Sequence, residues 1–444
     1  MRTRPQKFWL AFCSSRSLYI IDAVSLFALM AAITTARFSF NWPTYPTAHY
    51  AVGFAIATVL HVITYYFGGL YENEQRLGYP SQLPKAALLN LLAVGADGLV
   101  ALLTGRYLMP RANLLVLLCT GSLLLVFNRH MTRRIRSRYS GQPKILLIGE
   151  PDDIELARKH LQDAQPDVQI VGHAANDPQV ILSEIERLEA SDVLLLSGQS
   201  FETLYPDPLA ELQNRKVGVY QRITSSDTLL GLRRVRQIGG MPFVVLRAHA
   251  LPVCRLRFKR LLDLLYLLLL SPLFLPLTAV VVIWVRIRAG AGVIYRQPRV
   301  GFNGEVFTTF KFRTMIATAE QAGSPVLASR DDPRIIAGLG WLRRAHLDEL
   351  PQLWNVFRGS MSIIGPRPER PEMVTALSKQ IPGYNRRHDV PPGITGLAQT
   401  QAHYQTDAVY KLGYDLQYVV NWSPVLDWEI MLKSLLVMAR ASGQ

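Results

Sequence analysis

Residues 255–288 read RLRFKRLLDLLYLLLLSPLFLPLTAVVVIWVRIR. The run is long and apolar enough to enter a bilayer as a helix, which needs about 20 such residues to cross. Lys259 and Arg260 stand at its start, Arg286 and Arg288 at its end, and Pro272 and Pro276 interrupt it. A plain crossing would carry one basic end to the far side, against the tendency of Lys and Arg to remain cytoplasmic. A helix that enters and turns back keeps both basic ends on one face. Proline removes a backbone donor and kinks a helix, which supplies the turn. The carbonyls it frees still need partners at shallow depth. The expectation is a re-entrant helix over 259–288, with a fifth crossing as the competing reading.

Upstream, four apolar stretches crowd the first third, at about 18–36, 50–70, 86–103 and 112–127. Buried core helices are the bland alternative, but four in succession with short polar links favour membrane spans. Arg2, Arg4 and Lys7 precede the first, and Arg129, Arg133, Arg134, Arg136 and Arg138 follow the fourth. An even number of crossings puts both basic ends in the cytoplasm. No small-residue cleavage site follows the first apolar run, so the start MRTRPQKFWLAF reads as an uncleaved anchor. Residues 1–140 are expected to form a four-helix transmembrane region.

From Lys144 the texture changes. KILLIGE, VQIVGHA, DVLLLS and KVGVY read as short strands, alternating with the helical PDDIELARKHLQ and ILSEIERLEA. That alternation predicts a Rossmann-like, parallel α/β module over 141–250. Only Gly149 stands where a glycine-rich phosphate turn belongs, and without GxGxxG a dinucleotide site is poorly supported. A structural or oligomerising role is the plainer reading, and a homodimer through this module is open. Residues 251–444, rich in Arg, Pro and aromatics including Trp341, Trp354, Trp422 and Trp428, suit a mainly helical domain lying on the membrane interface.

Composition agrees. Hydrophobic residues make up 49% of the 444 and mean hydropathy is +0.15, as expected of a membrane part joined to a soluble part. Lys and Arg number 48 against 33 Asp and Glu, a net charge of +15. Such an excess suits nucleic acid, anionic lipids or anionic substrates. No recognised nucleic-acid module accompanies it, so nucleic acid is set aside. The scattered Cys13, Cys119 and Cys254 support neither a disulfide framework nor a zinc site.

The densest chemistry lies in RRAHLDELPQLWNVFRGSMSIIGPRPE, 343–369, where Asp348 and Glu349 stand among Arg343, Arg344, Arg358 and Arg367. Pro351 is tolerated only near a helix start, so the pair lies just before or within a first turn. There the helix dipole and guanidinium groups favour ionised carboxylates. One such carboxylate can attack phosphorus. Its neighbour can help hold Mg²⁺, which uses one or two carboxylates plus substrate phosphates. A solvated charge pair at a helix start is the alternative. Upstream, YRQPRVGFNGEVFTTFKFRTM, 295–315, reads as two strands around a glycine-containing turn. Lys311 and Arg313, two apart, would share a strand face and with Arg296 and Arg299 could grip a diphosphate. Surface salt bridges are the other reading. Arg367, set between prolines, is suited to hold an anion.

In this order the motifs resemble the bacterial polyprenyl-phosphate hexose-1-phosphate transferases, the monotopic phosphoglycosyl transferase superfamily. The resemblance runs from Lys259 to about Lys433 through KRLLD, the proline-broken run, YRQPRVGFNGEVFTTFKFRTM, LDELPQLWNV, GSMSIIGPRPE, PGITGLAQ and YDLQYVVNWSPVLDWEI. The upstream spans and α/β module are similar to the longer members, such as undecaprenyl-phosphate glucose phosphotransferases. The resemblance implies a re-entrant helix broken at Pro276, one turn after Ser271–Pro272. It implies Asp348 as nucleophile, Glu349 in Mg²⁺ binding, and Lys311, Arg343 and Arg367 on phosphates; the strand reading adds Arg313 beside Lys311. Glu372 is a further metal-region candidate, with Asp348 itself near the ion. The implied reaction passes a hexose-1-phosphate from a UDP-sugar to undecaprenyl phosphate and releases UMP, at the cytoplasmic face of a bacterial inner membrane. UDP-glucose is the favoured donor; galactose and N-acetylhexosamine donors stay open. Three departures stand out around the site: His346 before LDE, Pro391 before PGITG, and no GR pair after LAQ; Leu275 also replaces the serine usual before Pro276. Rivals are a membrane-anchored dehydratase or epimerase, which would need the missing glycine-rich turn, and a non-catalytic scaffold for polysaccharide assembly.

Overall fold

Apolar sequence becomes helix first. In the computed structural model α1 (Ser15–Phe38), α2 (Thr47–Phe67), α3 (Leu83–Thr104) and α4 (Arg111–Ser140) each pack on the next, and α4 closes on α1. Described are residues 15–39, 47–72, 77–78, 82–164, 168–197, 204–215, 217–224, 227, 235–246, 251–316, 332–401 and 407–441. Arg2, Arg4, Lys7 and Cys13 lie outside them. The chain divides into two compact units, Met1–Ala248 and His249–Gln444.

The bundle of the first unit buries polar residues among apolar ones such as Leu26, Met30, Phe54 and Leu117, and turns further apolar residues outward. Ile20, Val24, Leu88, Leu102, Leu103, Leu115 and Leu123 are exposed, while Asp22, His61, Asn90, Asp97, Asn113 and Arg129 are buried. Each buried charge has a partner, as burial of an ion demands: Arg129 meets Asp22 at 2.6 Å and His61 meets Asp97 at 2.9 Å. Helix α4 outruns the apolar stretch that marked it, because good helix formers such as Arg continue the spiral into water.

A six-stranded sheet follows, in the order β2-β1-β3-β4-β6-β5. Its strands are β1 (Lys144–Ile148), β2 (Gln169–Ala174), β3 (Asp192–Leu195), β4 (Gly218–Arg222), β5 (Val235–Ile238) and β6 (Met241–Leu246). Strands β1 to β4 pair in parallel, but β6 pairs antiparallel with both β4 and β5. The sheet is therefore mixed, correcting the expected parallel one. The cause is the Gly239–Gly240 turn, with φ of +56° and +74°, values a two-residue hairpin turn requires. Helices α5 (Pro151–Ala164), α6 (Pro178–Leu188) and α7 (Asp207–Asn214) cover the sheet. The helix start after Gly149 carries its own carboxylates, Asp152 and Asp153, and Asp153 pairs with Arg222 at 2.7 Å. Leu77, from the connection between α2 and α3, is buried in the core of this sheet beside Tyr220 and Phe243. Its carbonyl accepts from Arg236 at 3.1 Å.

The second unit opens with α8 (Val253–Ala289), 37 residues of helix that runs on through Pro272 and Pro276 rather than breaking at Pro276 as the sequence suggests. Pro272 cannot donate to the carbonyl of Leu268, and the Ser271 hydroxyl donates to it instead at 2.7 Å. Both ends of α8 pack on this one unit. Near its start Lys259 meets Asp427 at 2.9 Å, and Asp263 accepts from Ser362 Oγ and Ile363 N at 3.0 and 3.1 Å. Near its end Val281 and Val285 sit in a core with Phe312, Leu339 and Leu342. Between them Leu268 and Leu269 are 71% and 72% exposed. With α1 to α4, α8 makes five helices among the described residues that are long and apolar enough to cross a membrane.

The hairpin β7 (Ile294–Val300) and β8 (Val306–Phe312) comes next, then α9 (Gly340–Arg344), a 3₁₀ turn at Leu347–Glu349 and α10 (Gln352–Arg358). A parallel pair, β9 (Ser362–Ile364) and β10 (Gly393–Thr395), encloses α11 (Pro371–Gln380) and a 3₁₀ turn at Tyr384–Asp389. Helices α12 (Leu397–Gln401), α13 (Ala408–Asn421) and α14 (Pro424–Ala441) close the unit.

Candidate active site

Asn355 locks the site together. Its amide nitrogen donates to the carbonyl of Thr308 at 2.7 Å and its oxygen accepts from Phe310 N at 3.1 Å, binding α10 to β8. One turn before α10, behind His346 in a left-handed conformation (φ +55°), the 3₁₀ turn buries Asp348 and Glu349. Glu349 Oε1 accepts from Lys311 Nζ at 2.6 Å and from Arg367 Nη2 at 2.9 Å. Asp348, beside it, has no ion pair among the described residues.

The two carboxylates are thereby driven apart. Burial, then the charge of Glu349, pushes the Asp348 carboxyl up to about 6, while Lys311 and Arg343 pull the other way. Burial also disfavours the Glu349 charge, but Arg367 and Lys311 outweigh it and hold that carboxyl well below the usual range. At neutral pH both are ionised. Glu349 is neutralised by neighbours, and Asp348 is a desolvated, uncommitted carboxylate.

Arg367 reaches this pair from a loop that only glycines permit. A Cβ on Gly393 would lie 2.1 Å from Gly365 N, and one on Gly396 would lie 2.2 Å from Gly365 O. That approach sets β9 against β10 and fixes where the chain leaves toward Arg367.

The remaining candidates are placed as follows. Arg299 joins Lys311 and Arg367 in a depression also lined by Thr309, Gln352 and Pro368. Arg313 does not, because β8 ends at Phe312 and its guanidinium donates to the Ala289 carbonyl at the end of α8. Arg343 approaches Thr314 Oγ1 at 3.4 Å. Glu372 is exposed in the first turn of α11, where a carboxylate favours the helix dipole. Among the described residues no three His, Cys, Asp or Glu side chains form a metal-holding group, so Glu372 does not gather with Asp348 and Glu349. The adjacent pair alone still fits a hard divalent cation that completes its shell with phosphate oxygens and water. Sequence reading missed the network that seats α8. Asp427 accepts from Lys259, Tyr418 and Trp422 at 2.9, 2.8 and 3.0 Å, and nothing local in the sequence links residues so far apart.

The sequence profile described as bacterial sugar transferase matches residues 254–441. A putative undecaprenyl-phosphate N-acetylgalactosaminyl 1-phosphate transferase of Bacillus subtilis is 41% identical over 132 residues, 30% of this chain and 73% of that one. The exopolysaccharide production protein ExoY of Sinorhizobium fredii is 32% identical over 200 residues, 42% of this chain and 85% of that one. The chain belongs to the bacterial sugar transferase family. A longer relative, the undecaprenyl-phosphate glucose phosphotransferase of Komagataeibacter xylinus, is 35% identical over 209 residues, 45% of this chain. There the chain covers 39% of the relative's length. The family match falls on the second unit, so every residue gathered around Glu349 lies in its sugar transferase part.

Proposed function

We propose that the protein transfers a hexose-1-phosphate from a UDP-sugar to undecaprenyl phosphate, giving undecaprenyl-diphosphate-sugar and UMP. The observation that carries this reading is the buried Asp348–Glu349 pair, in which one carboxylate is tied to two cations and the other is left uncommitted. In the first step an Asp348 oxygen attacks the phosphorus bearing the sugar. The diphosphate P–O bond breaks and UMP leaves with its electron pair. In the second step a phosphate oxygen of the lipid attacks the aspartyl phosphosugar, forms the new diphosphate bond and returns the carboxylate. Lys311, Arg299, Arg343 and Arg367 hold and neutralise phosphate oxygens. Mg²⁺ held by Asp348 and Glu349 would supply further charge neutralisation on the transferring group.

The membrane arrangement follows from the same residues. A straight helix of the length of α8 spans about 55 Å, well beyond a hydrocarbon core of about 30 Å. Both its ends pack on one unit, so a bend at Pro272 and Pro276 that lets the continuous helix enter and return is favoured over a crossing. The exposed apolar residues of α1 to α4, with paired charges held inside, support four spans. Leu77 supports an even count, since the α2–α3 connection touches the same sheet that follows α4. Basic residues then favour the cytoplasmic face of an inner membrane.

Glucose is the favoured sugar because the Komagataeibacter relative is named for it, and N-acetylgalactosamine is the second reading because the Bacillus relative is named for that. The test is UMP release by purified protein with undecaprenyl phosphate, Mg²⁺ and a panel of UDP-sugars. Release with one donor, abolished by Asp348→Asn, is the expected result. No release with any donor would instead favour a non-catalytic scaffold.

A further inference from the structure

Arg367 stands between Pro366 and Pro368, two residues with no N–H to offer. An extended segment normally joins its neighbours through donors and acceptors alike; here the segment is held by its carbonyls. Gly393 N donates to the carbonyl of Pro366 at 3.0 Å, and Val300 N to that of Glu369 at 2.9 Å. Arg299 Nη1 donates to the carbonyl of Pro368 at 3.0 Å, and Arg387 Nη2 to that of Arg367 itself at 2.9 Å. All carbonyls from 366 to 369 are engaged, and the one on the functional arginine is held by another arginine.

That second arginine is fixed in turn. Arg387, in the 3₁₀ turn before β10, is buried. Its Nη2 lies 2.8 Å from Asp415 Oδ2, on α13, and its Nη1 donates to the Tyr384 hydroxyl at 2.5 Å. A buried ion pair is weak evidence of net stability, because desolvating two charges offsets their attraction. What it does provide is a planar guanidinium with fixed donor directions. We infer that the Asp415–Arg387 pair is a positioning device: by gripping the Arg367 carbonyl it sets the line along which Arg367 reaches Glu349. The inference rests on the transferase reading above. It extends that reading to two residues outside the group around Asp348.

The alternative is that Arg387 and Asp415 only hold the domain together. A double-substitution cycle with Arg367→Ala separates the two, since coupled residues depart from additivity. Asp415→Asn should lower kcat/KM for UMP release by about 100-fold, the scale of a misplacement near 1 Å. In an Arg367→Ala background the same change should cost less than about twofold, because the group it aims is gone. The split between the constants adds a second readout: in Asp415→Asn the loss should fall on kcat, with KM for the UDP-sugar changed less than about twofold. Arg387→Lys guards against a folding defect: lysine can keep the pair with Asp415 but cannot also serve the Arg367 carbonyl in the same plane. It should lose activity with little change in unfolding temperature. Additive losses, or a loss carried by KM rather than kcat, would overturn the positioning role while leaving the transferase reading intact. Absence of UMP release from the unaltered protein would instead sink that reading and this inference with it.

Discussion

Replacing Lys259 by Met tests what seats α8 on its unit. Lys259 and Asp427 are 1% and 4% exposed at the side chain and 2.9 Å apart. Methionine keeps most of the volume, so the cavity cost is small and the electrostatic cost dominates. Asp427 keeps only its neutral donors, the Tyr418 hydroxyl and the Trp422 indole N–H. Breaking a buried pair this way costs about 3–5 kcal/mol. For a unit of this size each kcal/mol moves the unfolding temperature by about 2–4 °C, giving a fall of roughly 6–20 °C. Adding Asp427→Asn should recover most of it. Asparagine removes the stranded charge, keeps an oxygen for the Trp422 indole N–H, and can donate its amide N–H to the Tyr418 hydroxyl, which retains the Ile364 carbonyl as acceptor at 3.0 Å. The assay is thermal unfolding of purified protein in detergent, monitored by tryptophan fluorescence. A fall under 2 °C for Lys259→Met, or a double variant no better than the single, would refute the reasoning.

Other expectations concern the site. Because Asp348 is pushed up to about 6, kcat/KM should fall on an acid limb near that pH, as the attacking carboxylate takes up a proton. A limb near 4, the ordinary carboxylate range, would remove the burial argument. The same raised value means that ionised Asp348 costs stability above pH 6, a cost lost as pH falls through that value. Asp348→Asn should therefore unfold a few degrees higher at pH 7.5 than the unaltered protein, with no difference near pH 4. Arg313→Ala should lower stability through the lost tie to Ala289 yet keep UMP release within a few-fold, whereas Lys311→Ala should abolish it. Equal losses in activity from the two would return Arg313 to the phosphate site.

Much of this architecture is legible locally. Apolar runs mark α1 to α4 because membrane-length helices need nothing but their own residues to be recognised. Pro351 places Asp348 and Glu349 before α10 because proline tolerates so few helical positions. The hairpin of β5 and β6 was written in Gly239–Gly240 between apolar residues, but it is easily passed over beside a stronger parallel signal. Arg313 illustrates the limit of strand alternation: spacing predicts a shared face only while the strand lasts, and β8 ends one residue too soon. The seating of α8 by Asp427, and of Arg367 by Arg387 and Asp415, joins residues far apart in sequence. Each looks like an ordinary charge until the fold brings its partner to it.

A carboxylate oxygen of Asp348 must take the phosphosugar before the lipid does. Protein incubated with a UDP-sugar and Mg²⁺ but no lipid, quenched in acid and digested, can be read by mass spectrometry of the peptide spanning Asp348. The prediction is a stoichiometric hexose-phosphate mass addition on Asp348 that disappears when undecaprenyl phosphate is supplied before quenching. An unmodified Asp348 in protein that releases UMP only when both substrates are present would contradict it.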